Sequence, residues 1–161
     1  MVEVREATPE DWQVIRDTRL TALQEAPSAF GSTAEREAAF GEPEWRARTQ
    51  GSGRGVMYLA EVARLPGPAG IAGIYVEDAK AHLTSMWVRS AARGQKVGEA
   101  LIEATVDWAR SRGFGTLYLW VTESNAPARR LYERCGFTDT GERQPLPSDP
   151  AFTEFRMSRP L

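Results

Sequence analysis

The run Leu117-Tyr118-Leu119-Trp120-Val121 is nearly continuous in apolar and aromatic side chains and contains no charge. Such a run reads as a central strand covered on both faces, and a strand of that kind needs helices layered against its sheet. The flanking sequence supplies them. Val97–Arg112 repeats Val97, Ala100, Leu101, Ala104 and Trp108 at helical spacing and closes at Gly113. Ala126–Arg134 sets Ala128, Leu131, Tyr132 and Cys135 on one face, with Asn125 as N-cap, Pro127 in the first turn and Gly136 as the stop.

Upstream, Val2–Arg5 alternates like a short strand, and Thr8-Pro9-Glu10-Asp11 opens a helix that should fade near Ala26-Pro27. A second helical stretch is expected between Thr33 and Gln50, ahead of a loop at Gly51–Gly55. Strands follow at Val56–Val62, Ile71–Val76 and Ala81–Val88, and the last two are expected at Phe137–Thr140 and Thr153–Met157, joined by the loop Gln144–Pro150. The order β-α-α-β-β-β-α-β-α-β-β predicts an α/β single domain over residues 1–161 with a mixed β-sheet and about four flanking helices.

Charge and composition narrow the partners. Twenty basic residues against 22 acidic ones give a net charge of −2 and no basic stripe, so a nucleic-acid partner is not expected. No apolar run approaches the roughly 20 residues of a spanning helix, so no membrane partner is expected. Met1–Glu6 alternates charges without an apolar stretch, so no signal peptide is expected and the reading is cytoplasmic. A single Cys and a single His leave no disulfide and no expected metal site.

Two segments carry chemistry. Val88-Arg89-Ser90-Ala91-Ala92-Arg93-Gly94-Gln95-Lys96-Val97-Gly98 joins a strand to the strongest helix. A glycine-containing strand–loop–helix junction presents free backbone amides and the positive end of the helix, an arrangement that binds phosphate. The second segment, Asn125 to Phe137, reads N-x-x-A-x-x-L-Y-x-x-x-G-F. Together the two resemble the Gcn5-related N-acetyltransferases (the GNAT family), which move acetyl from acetyl-CoA to an amine. The family loop is usually [RQ]-x-x-G-x-[GA]; here it falls on Arg93–Gly98, with Lys96 in place of a middle glycine. The alternative function, a non-catalytic acyl-CoA-binding module, rests on that departure.

The resemblance implies a sheet whose central strands splay apart, with acetyl-CoA as co-substrate. Its pyrophosphate would lie on Arg93, Gly94, Gln95, Lys96, Val97 and Gly98, and its arm would pair with the backbone of Met86, Trp87 and Val88 and meet Asn125. The Val88 amide would hold the carbonyl oxygen, and Tyr132 would donate a proton to the departing thiolate. His82 is the first candidate for the amine base, because histone-acetylating relatives carry a glutamate and arylalkylamine-acetylating relatives a histidine at that strand position. Its ordinary pKa near 6.5 suits proton removal at neutral pH. Glu123 is the reserve base, and Trp120 occupies a position where some relatives place theirs but cannot serve. Acceptor choice would come from Ala26–Trp45 and Gln144–Phe152. In the first of these, Phe30, Glu35, Glu37 and Phe40 make an acid-lined apolar slot for a cationic amine one reading, and a solvent-facing charged helix the other. The expected partner is a small-molecule amine acceptor, with a peptide or protein amine as the nearer variant, and a homodimer is compatible with the chain.

Overall fold

The computed structural model describes residues 1–49 and 55–161. The expected loop Gly51–Gly55 and the end of the expected second helix at Gln50 therefore lie, up to Arg54, outside the described residues. Seven strands form one sheet in the order β1-β2-β3-β4-β5-β7-β6: β1 (Val2–Glu6), β2 (Gly55–Val62), β3 (Gly70–Glu77), β4 (Lys80–Val88), β5 (Thr116–Thr122), β6 (Thr138–Leu146) and β7 (Asp149–Pro160). Among the described residues five α-helices accompany it: α1 (Trp12–Glu25), α2 (Ala34–Ala38), α3 (Glu42–Ala47), α4 (Val97–Ser111) and α5 (Ala126–Arg134). All pairings are antiparallel except β4 with β5.

The strand period of two divides the core. Leu117, Leu119 and Val121 of β5 pack with Phe155 and Met157 of β7 against Leu101, Ile102 and Val106 of α4. On the opposite face Leu59, Ile71 and Trp87 pack with Ile15 and Leu23 of α1 and Trp45 of α3. The alternate residues of the central strands, including His82, Tyr118, Trp120, Glu154 and Arg156, share this second face, and His82, Trp120, Glu154 and Arg156 line a cavity there rather than a core.

Two expectations about the fold are corrected. The helical stretch expected after Thr33 is two short helices, because the first ends at Ala38 with Ala39 as its C-cap, and Gly41 with Pro43 starts a new one. The loop expected at Gln144–Pro150 is a tight hairpin: β6 runs through Pro145 to Leu146, and β7 begins at Asp149. Proline is tolerated there because β6 is the sheet edge.

The feature that positions the site is the junction of β4 and β5. Pairing runs only through Ala81↔Leu117, His82↔Tyr118 and Leu83↔Leu119, although β4 continues to Val88 and β5 to Thr122. A bulge starts the divergence. Thr84 pairs with Gly73 and Trp87 with Ile71, so β4 carries one extra residue, and Ser85 takes a positive φ of 58°. Arg19 of α1 holds this bulge, its Nη1 donating to Ser85 Oγ at 3.3 Å.

Candidate active site

The gap between the diverging strands opens into two cavities that share a wall. The larger, about 550 Å³, is lined by Met86, Trp87 and Val88 of β4, Arg93, Gly94, Lys96, Val97 and Gly98 of the loop and α4, and Asn125, Leu131 and Tyr132 of α5 and its cap. Apart from Leu131 and Tyr132, these are the residues expected to hold the co-substrate. Gln95 is the exception: it is exposed, and its Nε2 donates to Ala91 O at 3.3 Å. The indole of Trp87 is buried in the core, so only its backbone faces the gap.

Acetyl-CoA fits this cavity on three observations. Past Leu83 the inner edge of β4 has no partner strand among the described residues, which leaves its backbone groups available to an extended amide chain. At the start of α4 the first intrahelical bond is Ala100 N to Lys96 O, which leaves the amides of Val97, Gly98 and Glu99 unpaired at the positive helix end. Lys96 adds a positive charge to the lining, whereas Arg93 is paired with Glu25 and Arg134 with Glu99. Lys96, the departure from the family loop, occupies the left-handed region with φ 63°, which explains why glycine suits that position. Gly98 is tightly placed, since a Cβ there would lie 2.9 Å from Leu131 Cδ2 and 3.3 Å from Met86 Cε.

Asn125 caps α5 by accepting from Ala128 N at 3.4 Å, so the cap and the cavity wall are one residue. Tyr132 is buried at the meeting of the two cavities and lies edge-on to Phe137, with ring centroids 5.9 Å apart. Burial raises its phenol well above the ordinary tyrosine value, so it is a neutral hydroxyl across the physiological range.

The second cavity, about 480 Å³, contains His82, Tyr75, Trp120, Glu154 and Arg156 on the sheet, with Phe30, Gly31 and Pro147 across from them. His82 is stacked on Tyr75 at 4.8 Å and tilted against Tyr118 at 5.6 Å. Its Nε2 faces Arg156 Nη2 at 2.9 Å, and its buried Nδ1 has no partner among the described residues. Burial, and then the charge of Arg156, hold its pKa below the ordinary imidazole value. His82 is therefore neutral, but the lone pair a base would use accepts a hydrogen bond from Arg156. The reserve candidate Glu123 lies elsewhere: it is exposed and paired with Arg143 at 3.1 Å.

The expected acid slot at Phe30, Glu35, Glu37 and Phe40 does not form. Glu37 is buried and bound by Arg19 and Arg48 at 3.1 and 3.0 Å, Glu35 is exposed, and Phe40 packs on Trp45. Only Phe30 of the four lines a cavity. The acids that do line the second cavity are Glu77, Asp78 and Glu154. Glu154 was not legible as a site residue, because Thr153-Glu154-Phe155-Arg156 alternates like an ordinary half-exposed strand. Its inward face follows only from β7 lying between β5 and β6. The expected specificity segments do meet: Ser148 Oγ donates to Phe30 O at 2.5 Å, and Gly31 lies against Pro147.

A sheet split between two parallel strands, with an amide-lined cleft along one of them, defines the class of fold. The family follows from comparison: residues 12–137 match the model of the Acetyltransferase (GNAT) family, and the chain belongs to that family. A GCN5-related N-acetyltransferase from Kribbella flavida superposes with a TM-score of 0.78 at 25% identity, covering 99% of this chain and 98% of that one. The [ribosomal protein bS18]-alanine N-acetyltransferase of Escherichia coli (strain K12) is 34% identical over 101 residues, 62% of this chain and 68% of that protein. Streptothricin acetyltransferase of Streptomyces lavendulae is 47% identical over 49 residues, 30% of this chain. That alignment spans 26% of the streptothricin enzyme, well under two thirds of its length. Among the described residues no cluster of His, Cys, Asp and Glu is placed to hold a metal, and no helix is long and apolar enough to cross a membrane.

Proposed function

We propose that residues 1–161 act as one acetyl-CoA-dependent N-acetyltransferase domain that transfers acetyl directly to the primary amine of a small molecule. The observation that carries this reading is the shared wall: Tyr132 and Trp120 border both the amide-lined cleft and the acid-containing cavity. Two ligands bound there would meet at the phenol without a covalent relay through the protein.

Each residue then has a physical task. The α4 amides and Lys96 neutralise phosphate charge, and the free edge of β4 orients the arm. Tyr132, neutral and buried, supplies a proton to the sulfur as it departs. An alkylammonium with a pKa near 10.4 is under about 0.1% neutral at pH 7, so proton removal from the acceptor is a substantial part of the work. His82 enters as a neutral wall of the acceptor side with its Nε2 engaged by Arg156.

A small acceptor is favoured over a peptide because the Phe30–Gly31 segment and the Pro147–Ser148 turn touch across the acceptor cavity. The relatives divide on this point, one being named for streptothricin and one for the alanine of a ribosomal protein. A chain with one cysteine and acetyl-CoA as donor suits a cytoplasmic enzyme.

The test is thiol release from acetyl-CoA with a panel of small primary amines and short peptides. Turnover with the small amines at rates well above the peptides is the expected result. Calorimetry should show CoA bound by the wild type and no binding by Gly98→Glu, which puts a side chain and a negative charge into the cradle. CoA binding without turnover of any amine would leave the chain an acyl-CoA-binding module.

A further inference from the structure

Among the described residues two carboxylates are buried, and they differ in one respect. Glu37 is matched by two arginines, accepting from Arg19 Nε and Nη2 at 3.1 Å each and from Arg48 Nη2 at 3.0 Å. Glu154, only 7% exposed, faces the acceptor cavity and has no cation within salt-bridge distance among the described residues. Its one hydrogen bond comes from the neutral Gln144, whose Nε2 lies 2.6 Å from Oε1.

The nearest candidate counter-ion is committed elsewhere. Arg156 lies two residues along β7 on the same face, but Nη1 donates to Glu142 at 2.8 Å and Nη2 to His82 at 2.9 Å. Its guanidinium carbon sits 4.4 Å from the centre of the Tyr118 ring. Arg19, on the far wall, is matched by Glu37. Lys80 stands exposed at the mouth, where Glu77 and Asp78 outnumber it. The remaining titratable groups around the cavity, Tyr75, His82 and Tyr132, are uncharged at neutral pH. A buried carboxylate without a counter-ion is costly unless a ligand brings one.

We propose that Glu154 seats the acceptor's ammonium and removes its proton, so that the acceptor is an aliphatic primary amine that is cationic in solution. This rests on the acetyl-transfer reading and adds to it the residue that prepares the nucleophile. The proton balance is complete without a further reactant. One ammonium proton passes to Glu154, freeing the nitrogen lone pair. That pair forms the new C–N bond as the C–S bond breaks. The second nitrogen proton is lost as the amide forms, replacing the proton Tyr132 gives to the sulfur. Glu154 then returns its proton to solvent through the acidic mouth. The products are a neutral amide, a free thiol and one released proton.

The test uses the full chain with n-butylamine as the probe, in the presence of CoA for binding and of acetyl-CoA for turnover. Glu154→Gln should weaken calorimetric n-butylamine binding at least tenfold while leaving CoA affinity unchanged. Turnover of n-butylamine should fall about 10²–10⁴-fold, the range of general-base effects. Turnover of methoxyamine, a nucleophile already neutral at pH 7, should fall far less, a split that a merely structural role would not produce. Glu154→Asp keeps the charge on a shorter arm and should bind n-butylamine while turning it over slowly; this variant carries the test if the glutamine fails to fold. Wild-type binding and turnover of n-butylamine in Glu154→Gln overturn the assignment and leave acetyl transfer standing. Binding that depends on Glu154 in a wild type that acetylates no amine keeps the ammonium seat and removes the transfer reading. Absence of Glu154-dependent binding in the wild type overturns the proposal outright.

Discussion

Arg156 Nη2 lies 2.9 Å from Nε2 of His82, so a guanidinium is held against a buried imidazole in a ladder with the half-buried Tyr75 and Tyr118. The contact works only while the ring is neutral, since two cations at that distance repel. It joins β7 to β4 across β5, and Glu142 anchors the other end of the guanidinium at 2.8 Å.

Acid should therefore weaken the fold through His82. The unfolded chain takes up this proton near pH 6.5, whereas burial and Arg156 hold the folded value lower. Between those two values the unfolded form binds more protons, so stability rises with pH in that window and is lost as pH falls below about 6.5. Thermal melts across this range should show the slope in the wild type and a shallower one in His82→Gln. NMR titration of Arg156→Gln should find the imidazole pKa raised; an unmoved value would take Arg156 out of the account.

Lys96→Gly is expected to stabilise the protein. The lysine sits at φ 63°, a region costing a non-glycine residue about 1 kcal/mol or more, against the entropy that glycine loses on folding. The net gain should be up to about 1 kcal/mol in denaturant unfolding. CoA affinity should stay within about tenfold, or about 1.4 kcal/mol, because backbone amides carry most of the contact. A larger loss would make the ammonium a principal ligand.

Tyr132→Phe should lower kcat about 10–100-fold, the weak end of general-acid effects. KM for acetyl-CoA should hardly change, because the ring and its contact with Phe137 remain. Removing a hydroxyl costs about 0.5–1.5 kcal/mol, so the variant should stay folded. A wild-type rate with a good amine would mean that the thiolate leaves unaided.

Glu37→Gln removes the charge that matches Arg19 and Arg48. Breaking a buried pair by one partner costs about 3–5 kcal/mol, which should appear as a large drop in denaturation midpoint. Because Arg19 also holds Ser85 in the β4 bulge, KM for acetyl-CoA should rise in the same variant. Destabilisation with an unchanged KM would separate the ion pair from the site.

The fold was legible where local signals and burial agree. Asn125, Pro127 and Gly136 bound a helix by their own backbone chemistry, and the apolar run Leu117–Val121 marked a central strand, although only its Leu117, Leu119 and Val121 face packs in the core while Trp120 faces the cavities. The loop from Arg93 to Gly98 was readable for the same reason, as a glycine-marked junction between a strand and a helix. What stayed hidden depends on strand order. Glu154 and Arg156 look solvent-facing until β7 is inserted between β5 and β6. Glu37, read as a lining acid, is withdrawn by two arginines distant in sequence or around a bend. His82 was found by position along its strand, but its partner Arg156 lies 74 residues away and carries no local mark.

The divergence after Leu83 and Leu119 gives this sheet a pair of edges in its own middle. Exposed strand edges invite pairing with other chains and promote aggregation. Here the edges are flanked by α4, α5 and the segment at Ser28, whose carbonyl accepts from Thr122 Oγ1 at 2.6 Å. The fold thus keeps unpaired strand backbone in its interior, bordered by helices rather than by another strand. The empty protein should accordingly be the more fragile form, and filling the cleft should raise its melting temperature with ligand concentration.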